Sequence, residues 1–244
     1  MPTMTQFTRR ALFATAATVP VALAAAPAFA DDAHEKQLRE DFPWLARYAD
    51  ENAALEASGK PVGIVFMGDS ITEGWKGKHP DFFATADHVC RGISGQTTPQ
   101  MVLRMMADVV HLKPRAVHIM AGTNDIAGNT GPMTPAQTQD NLTMMTEIAK
   151  ASGIAVLLAS IPPSDGFPWR PGLAVTEKIR SLNAWIADYA RTAGATYVDY
   201  TPALATAAGA MKPGMASDGV HPTAEGYAVM EKVVTPLIQR YEVA

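Results

Sequence analysis

A three-layer α/β/α sandwich around a five-stranded parallel sheet is predicted by three features of this 244-residue sequence. Five short apolar runs alternate with segments of helical periodicity, the pattern of strands joined by right-handed helical crossovers with helices on both faces. The first run, residues 62–67, is continuously apolar, as expected of a central strand covered on both sides. Hydrophobic residues make up 48% of the chain and charged residues 18%, enough apolar surface for a sizeable core and against disorder.

The first thirty residues stand apart. Arg9 and Arg10 precede an Ala-rich apolar run, and Ala28-Phe29-Ala30 offers small residues where a signal peptidase cuts. Paired arginines before a modestly apolar run also resemble a twin-arginine export signal. The run is short for a bilayer span, which disfavours a membrane anchor. We therefore expect a signal peptide over 1–30, a single folded domain over 31–244, and a periplasmic or secreted bacterial protein with no stable membrane insertion.

In the remainder, 34–57 reads as helical, with Pro43 restarting or kinking it. Strands follow at 62–67, 88–91, 115–120, 154–160 and 195–199, and helices at 98–111, 135–151, from Gly172 to about Ala193, and 222–241. Ligands of such sheets bind outside the carboxyl ends of the strands. Ser70 follows the first strand, Gly95 the second and Asn124 the third, while Asp218 and His221 lie in the loop after the fifth. Five polar candidates spread over the chain thus converge on one sheet edge.

Charge and cysteine content narrow the function classes. Loss of 1–30 removes two arginines and no acid, taking the formal charge from −4 to −6, and no basic patch is visible for nucleic acid or anionic membranes. The single Cys90 forbids an internal disulfide and lies in an apolar stretch, as a buried structural thiol does. His79, His88 and His111 lack the spacing of metal ligands, and His118 reads as a packed strand residue. Met101, Met105 and Met106 read as core or pocket wall.

A serine hydroxyl needs an adjacent base, usually a histidine held by a carboxylate. Ser70 stands in the strand-to-helix turn Met67-Gly68-Asp69-Ser70-Ile71-Thr72, where helix N–H groups favour an anion. In Asp218-Gly219-Val220-His221-Pro222 the acid and the imidazole are three residues apart, close enough for the carboxylate to meet Nδ1 and leave Nε2 for the serine. Gly95 in Ser94-Gly95-Gln96 and the Asn124 amide in Gly122-Thr123-Asn124-Asp125 are candidate donors to an oxyanion, with the Ser70 N–H. Asp69 and Asp125 fit loop-bracing roles. Gly-x-Ser-x-Gly of the α/β-hydrolase elbow fails at Thr72.

These four blocks, in this order, resemble the SGNH (GDSL) hydrolases from about residue 61 to the C-terminus. The resemblance implies a flavodoxin-like sandwich without metal or cofactor. It also implies Ser70 as nucleophile, His221 as base, Asp218 as its orienting acid, and Ser70, Gly95 and Asn124 as the oxyanion hole.

The Pro-rich loop 161–172 leaves the same sheet edge. Trp169 and Arg170 can form a substrate-facing wall, Trp169 stacking on a sugar or Arg170 meeting a carboxylate; equally, Trp169 can cover the N-terminal helix around Trp44. Trp75 has the same two readings. The leading expectation is an esterase that removes short acyl groups, acetyl first, from a glycan or small alcohol. A lysophospholipase or thioesterase is favoured instead if the Met-rich helix lines an apolar groove, and a non-catalytic glycan-binding module is the third reading. Oligomeric state is not legible.

Overall fold

The computed structural model describes residues 33–84 and 87–243, so the export signal expected at 1–30 lies outside the described residues. Five parallel strands, β1 Ile64–Gly68, β2 His88–Gly92, β3 Ala116–Met120, β4 Ala155–Ala159 and β5 Thr196–Val198, form one sheet in the order β2-β1-β3-β4-β5. Registers run Ile64 opposite His88 and Ala116, Ala116 opposite Ala155, and Leu157 opposite Thr196. The order reverses between β1 and β3, which opens the crevice where such sheets bind ligands. β1 and β3 are buried throughout, which is why their sequences carry no polar alternation.

Helices cover both faces. α1 Ala33–Glu40 and α2 Ala49–Ser58 precede the sheet, separated at Pro43 by a tight 3-10 turn over Leu45–Arg47. α3 Ser70–Lys78 packs with the last helix on one face. α4 Thr98–Met105, α6 Pro135–Ala151 and α7 Thr176–Ala193 line the other. The short α5 Thr123–Ala127 follows β3, α8 Thr201–Leu204 follows β5, and α9 Ala224–Ile238 closes the chain. Pro at the first turns of α4 and α6, each with a Thr–Gln capping box, starts both helices where the sequence changes period.

α4 continues into a wide π turn over Met106–Val110. There Asp108 meets the fully buried Arg104, Nη1 to Oδ2 at 2.9 Å. Arg104 donates further to the carbonyls of Gly68 (2.9 Å) and Arg91 (2.8 Å) and to Gln96 Oε1 (2.6 Å). Asn52 of α2 donates to Asp108 Oδ1 at 2.7 Å and accepts from Arg91 Nε at 2.8 Å. One guanidinium therefore ties the carboxyl ends of β1 and β2 to the loop bearing Gly95.

Trp75 is fully buried, which corrects its candidacy as a substrate residue. It stacks on Phe82 (5.3 Å between centroids) and Tyr227 (5.6 Å), and its Nε1 donates to Glu231 at 2.9 Å. The indole is cement between α3 and α9; its N–H finds a partner across that interface, as a buried tryptophan must. His118 is packed as expected. Its Nε2 lies 3.0 Å from the Tyr200 hydroxyl, and burial pushes its pKa down to about 3. Cys90 is buried, and so are Met101 and Met105, whereas Met106 is 48% exposed and lies outside the core.

Candidate active site

The turn that ends β1 presents Ser70 as the first residue of α3. Asp69 caps that helix, its Oδ1 accepting the Ile71 N–H at 2.9 Å. Gly92, at the end of the neighbouring strand, lets this turn sit close, because a Cβ there would collide with the Glu73 N–H.

His221 reaches Ser70 from the loop between α8 and α9. Thr223 caps α9 by accepting the Gly226 N–H at 3.1 Å, while Ser217 N–H donates to the His221 carbonyl at 2.9 Å, so both sides of the turn are fixed. Ser70 Oγ and His221 Nε2 are 2.9 Å apart, and His221 Nδ1 and Asp218 Oδ2 are 2.7 Å apart. Asp218 Oδ1 also accepts the N–H groups of Val220 (3.0 Å) and His221 (2.7 Å). Partial burial pushes the Asp218 carboxyl up, but these bonds and the imidazole outweigh it and hold the group below its ordinary value. An ionised Asp218 accepts from Nδ1–H, which leaves the Nε2 lone pair for the serine hydroxyl.

Gly95 and Asn124 border the same turn. Gly95 has φ of +78°, a left-handed conformation in which its lack of a Cβ matters. Gly122, with φ of +129°, sits where a Cβ would lie 2.6 Å from the Leu182 side chain, so α5 can start directly beneath α7. Asn124 Nδ2 donates to the Gln96 carbonyl at 3.0 Å and has only a long contact, 3.4 Å, to Asp69 Oδ2, leaving one hydrogen able to meet a developing oxyanion. Asp125 braces the neighbouring loop as anticipated, accepting from Thr98 N–H (3.0 Å), Thr98 Oγ1 and Thr138 Oγ1 (3.2 Å). The candidate triad and the candidate donors thus come together at one sheet edge.

Asn129 had no signal in the sequence: it lies in an aperiodic bend five residues past Asn124. Its Nδ2 donates to Asn124 Oδ1 at 2.8 Å and to the Gly95 carbonyl at 3.3 Å. Its Oδ1 accepts from Trp169 Nε1 at 3.2 Å. One amide therefore bridges Gly95 and Asn124, two of the three candidate oxyanion residues, and the Pro-rich loop. Trp169 lies beside the candidate triad. The ring stacks on Phe167 at 5.1 Å, lies 5.8 Å from the His221 ring and is 37% exposed. Arg170 follows it and donates to the Gly128 carbonyl at 3.0 Å.

Burial pushes the Asp69 carboxyl up to about 6, an effect only partly offset by the Ile71 N–H and the nearby imidazole. The folded state then holds this proton more tightly than the unfolded chain does, so stability falls as pH rises through the interval between the two values. We predict that wild type loses stability relative to Asp69→Asn, which keeps the capping oxygen, between about pH 4 and 6.5. Urea unfolding across that range checks it, and a relative gain by wild type would refute it.

Among the described residues no group of three or more His, Cys, Asp or Glu is arranged to hold a metal ion, and no helix is long and apolar enough to cross a membrane.

The chain is similar to known lipases and esterases. A GDSL-like lipase of Bacteroides thetaiotaomicron, known from its crystal structure, is 45% identical, superposes with a TM-score of 0.77, and is matched over 82% of this chain and 99% of its own. Esterase TesA of Pseudomonas aeruginosa is 33% identical over 132 residues, 53% of this chain and 58% of that protein. The uncharacterised lipoprotein YqeF of Bacillus subtilis is 33% identical over 121 residues, 42% of this chain and 50% of that protein. The chain thus spans about half the length of these two curated relatives. The GDSL-like lipase/acylhydrolase family model matches residues 66–229, the span from β1 into α9 that carries Ser70, Gly95, Asn124, Asp218 and His221, and the chain belongs to that family.

Proposed function

We propose that this chain is an exported serine esterase that removes short acyl groups, acetyl foremost, from carbohydrates or small alcohols. The observation that carries this reading is the unbroken relay from Ser70 Oγ through His221 to Asp218, beside Gly95 and Asn124.

In this mechanism His221 Nε2 takes the Ser70 proton as Oγ attacks the ester carbonyl carbon. The carbonyl oxygen becomes an oxyanion facing the N–H groups of Ser70 and Gly95 and the Asn124 amide. Collapse breaks the bond to the alcohol oxygen, which leaves with the proton from His221 Nε2. Water, deprotonated by the same nitrogen, attacks the acyl-enzyme and releases the carboxylic acid and free Ser70. Asp218 stays ionised and keeps the imidazole in the tautomer each step needs.

The long-chain alternative rested on a methionine-lined groove. Met101 and Met105 are buried in the core and Met106 faces outward, so that support is missing. The apolar cavity of about 290 Å³ between α6 and α7 touches Asp125, Met133 and Leu182 but not Ser70, Gly95 or His221. Export is read from residues 1–30 and is supported by a relative that is a lipoprotein.

Two measurements test the reading. Across p-nitrophenyl esters from acetate to palmitate, kcat/KM is highest at acetate or butyrate; a maximum at palmitate would overturn the short-acyl assignment. Asn129→Ala, acting through Asn124 and Gly95, lowers kcat about 10-fold or more with little change in KM, because a displaced oxyanion donor weakens the transition state alone. A change confined to KM would show that Asn129 serves binding instead.

A further inference from the structure

Beside Gly95 lies a cavity of about 130 Å³ whose walls include Gln37, Leu38, Trp44, Asn129 and Arg170. Gln37, Leu38 and Trp44 come from residues ahead of the family match, which begins at 66. We propose that this cavity is the subsite for the sugar ring of a carbohydrate ester, with Trp44 as its apolar platform and Arg170 and Gln37 as its polar rim. The proposal rests on the esterase reading above for its position relative to the scissile bond.

The backbone around Trp44 is built and held at some cost. Trp44 has φ of +54° and ψ of +54°, a left-handed conformation that is an outlier for a bulky side chain. Such a residue persists only where its surroundings over-determine it, most often at ligand clamps and active sites. The surroundings here do so. Asp41 takes the N–H groups of Leu45 (2.8 Å) and Ala46 (2.9 Å) on its carboxylate, and that of Trp44 (2.7 Å) on its carbonyl. Gln100 Nε2 holds the Phe42 carbonyl and Gln96 Nε2 the Pro43 carbonyl, both at 2.8 Å. Gln96 and Gln100 flank the start of α4 just after Gly95, so the strained turn is registered directly to the candidate oxyanion loop.

The chemistry of the walls selects the ligand. An indole and Leu38 offer an apolar face. Arg170 spends one donor on the Gly128 carbonyl and keeps others for a ligand. Gln37 donates from Nε2 to the Asp41 carbonyl and keeps Oε1 as an acceptor. An apolar face ringed by separate donors and an acceptor fits a pyranose, which has C–H faces and equatorial hydroxyls; a long acyl chain would leave those polar groups unpaired at a cost.

Position fits as well. His221 must protonate the leaving oxygen, so the alcohol lies on its side of the bond. Trp169, 5.8 Å from the His221 ring, donates to Asn129, which lines the cavity, and so links that oxygen's side of the site to it.

The test uses the full-length protein, Trp44→Ala and Arg170→Ala, with thermal melts to confirm folding, and acetate release from acetylated methyl pyranosides and from ethyl acetate, which has no ring. The ratio of kcat/KM for pyranoside over ethyl acetate falls about 10-fold or more in each variant, the loss expected of one well-packed aromatic or charged contact. An unchanged or increased ratio in both variants overturns the proposal. Saturation-transfer NMR with unacetylated methyl pyranosides on Ser70→Ala separates the subsite from the reaction. Ring-proton signals that vanish when Trp44→Ala is added support the subsite, even if wild type cleaves ethyl acetate and no acetylated sugar, a result that would overturn only the carbohydrate-ester reading. Absence of any Trp44-dependent sugar signal overturns the subsite, whatever the enzyme hydrolyses.

Discussion

Alanine at Ser70 lowers kcat for p-nitrophenyl acetate by about 10⁴- to 10⁶-fold, the scale set by losing a nucleophile that works as one unit with its base. The substitution removes one atom, Oγ, whose partner in the resting site is His221 Nε2 at 2.9 Å. His221 stays in place because its Nδ1, N–H and carbonyl are bonded to Asp218 and Ser217, not to Ser70. The half-buried site lets water reach Nε2, so stability stays within about 0.5 kcal/mol of wild type, as for substitutions away from the core. Adding His221→Ala produces no further loss, because each single change already removes the covalent route. Steady-state kinetics with melting curves on the three proteins check this. Independent, multiplying losses would show that serine and histidine do not act together.

Arg104→Ala has the largest expected effect on stability. The guanidinium is fully buried and serves Asp108, Gln96 and two strand-end carbonyls. Removing it leaves the Asp108 carboxylate with Asn52 alone among these partners, and strips the Gly68 and Arg91 carbonyls of their bonds to it. Breaking a buried pair from one side costs about 3–5 kcal/mol. For a domain of this size that lowers Tm by roughly 6–20 °C. The companion Arg104→Met with Asp108→Leu removes both charges and recovers much of the loss, since desolvation then falls on neither partner. Gln96 carries the loop of Gly95, so the single variant is also expected to lose activity at temperatures where it remains folded. Urea unfolding of the three proteins measures the effect; a loss under 1 kcal/mol for Arg104→Ala would mean that the cluster is not structural.

The sheet was legible because its central strands are covered on both faces, which writes them as apolar runs such as 62–67. The candidate site was legible because Ser70, Gly95, Asn124 and the Asp218–His221 pair each sit in a local turn with its own chemistry, and a parallel sheet collects such turns at one edge. What sequence did not disclose depends on pairings across distant segments. Trp75, five residues past the serine, keeps both a substrate-facing and a structural reading in the sequence, because its partners Tyr227 and Glu231 lie more than 150 residues away. Nothing in the sequence marks Arg91 and Arg104 as buried; the π turn and α2 bring Asp108 and Asn52 against them. Asn129 lies in aperiodic chain and Trp44 within a stretch, 34–57, that reads as helical, and only the folded loops around Gly95 give them their places.

The nucleophilic role of Ser70 is tested most directly by treating the protein with paraoxon and mapping the adduct by intact-mass and peptide mass spectrometry. Attack by Oγ on phosphorus expels p-nitrophenolate and leaves a diethylphosphoryl group on the serine. The expected result is one such group per chain, on the peptide containing Ser70, with loss of esterase activity in proportion to labelling, no labelling in Ser70→Ala and slow labelling in His221→Ala. Stoichiometric labelling at another residue, or full activity in a protein labelled at Ser70, would contradict the assignment.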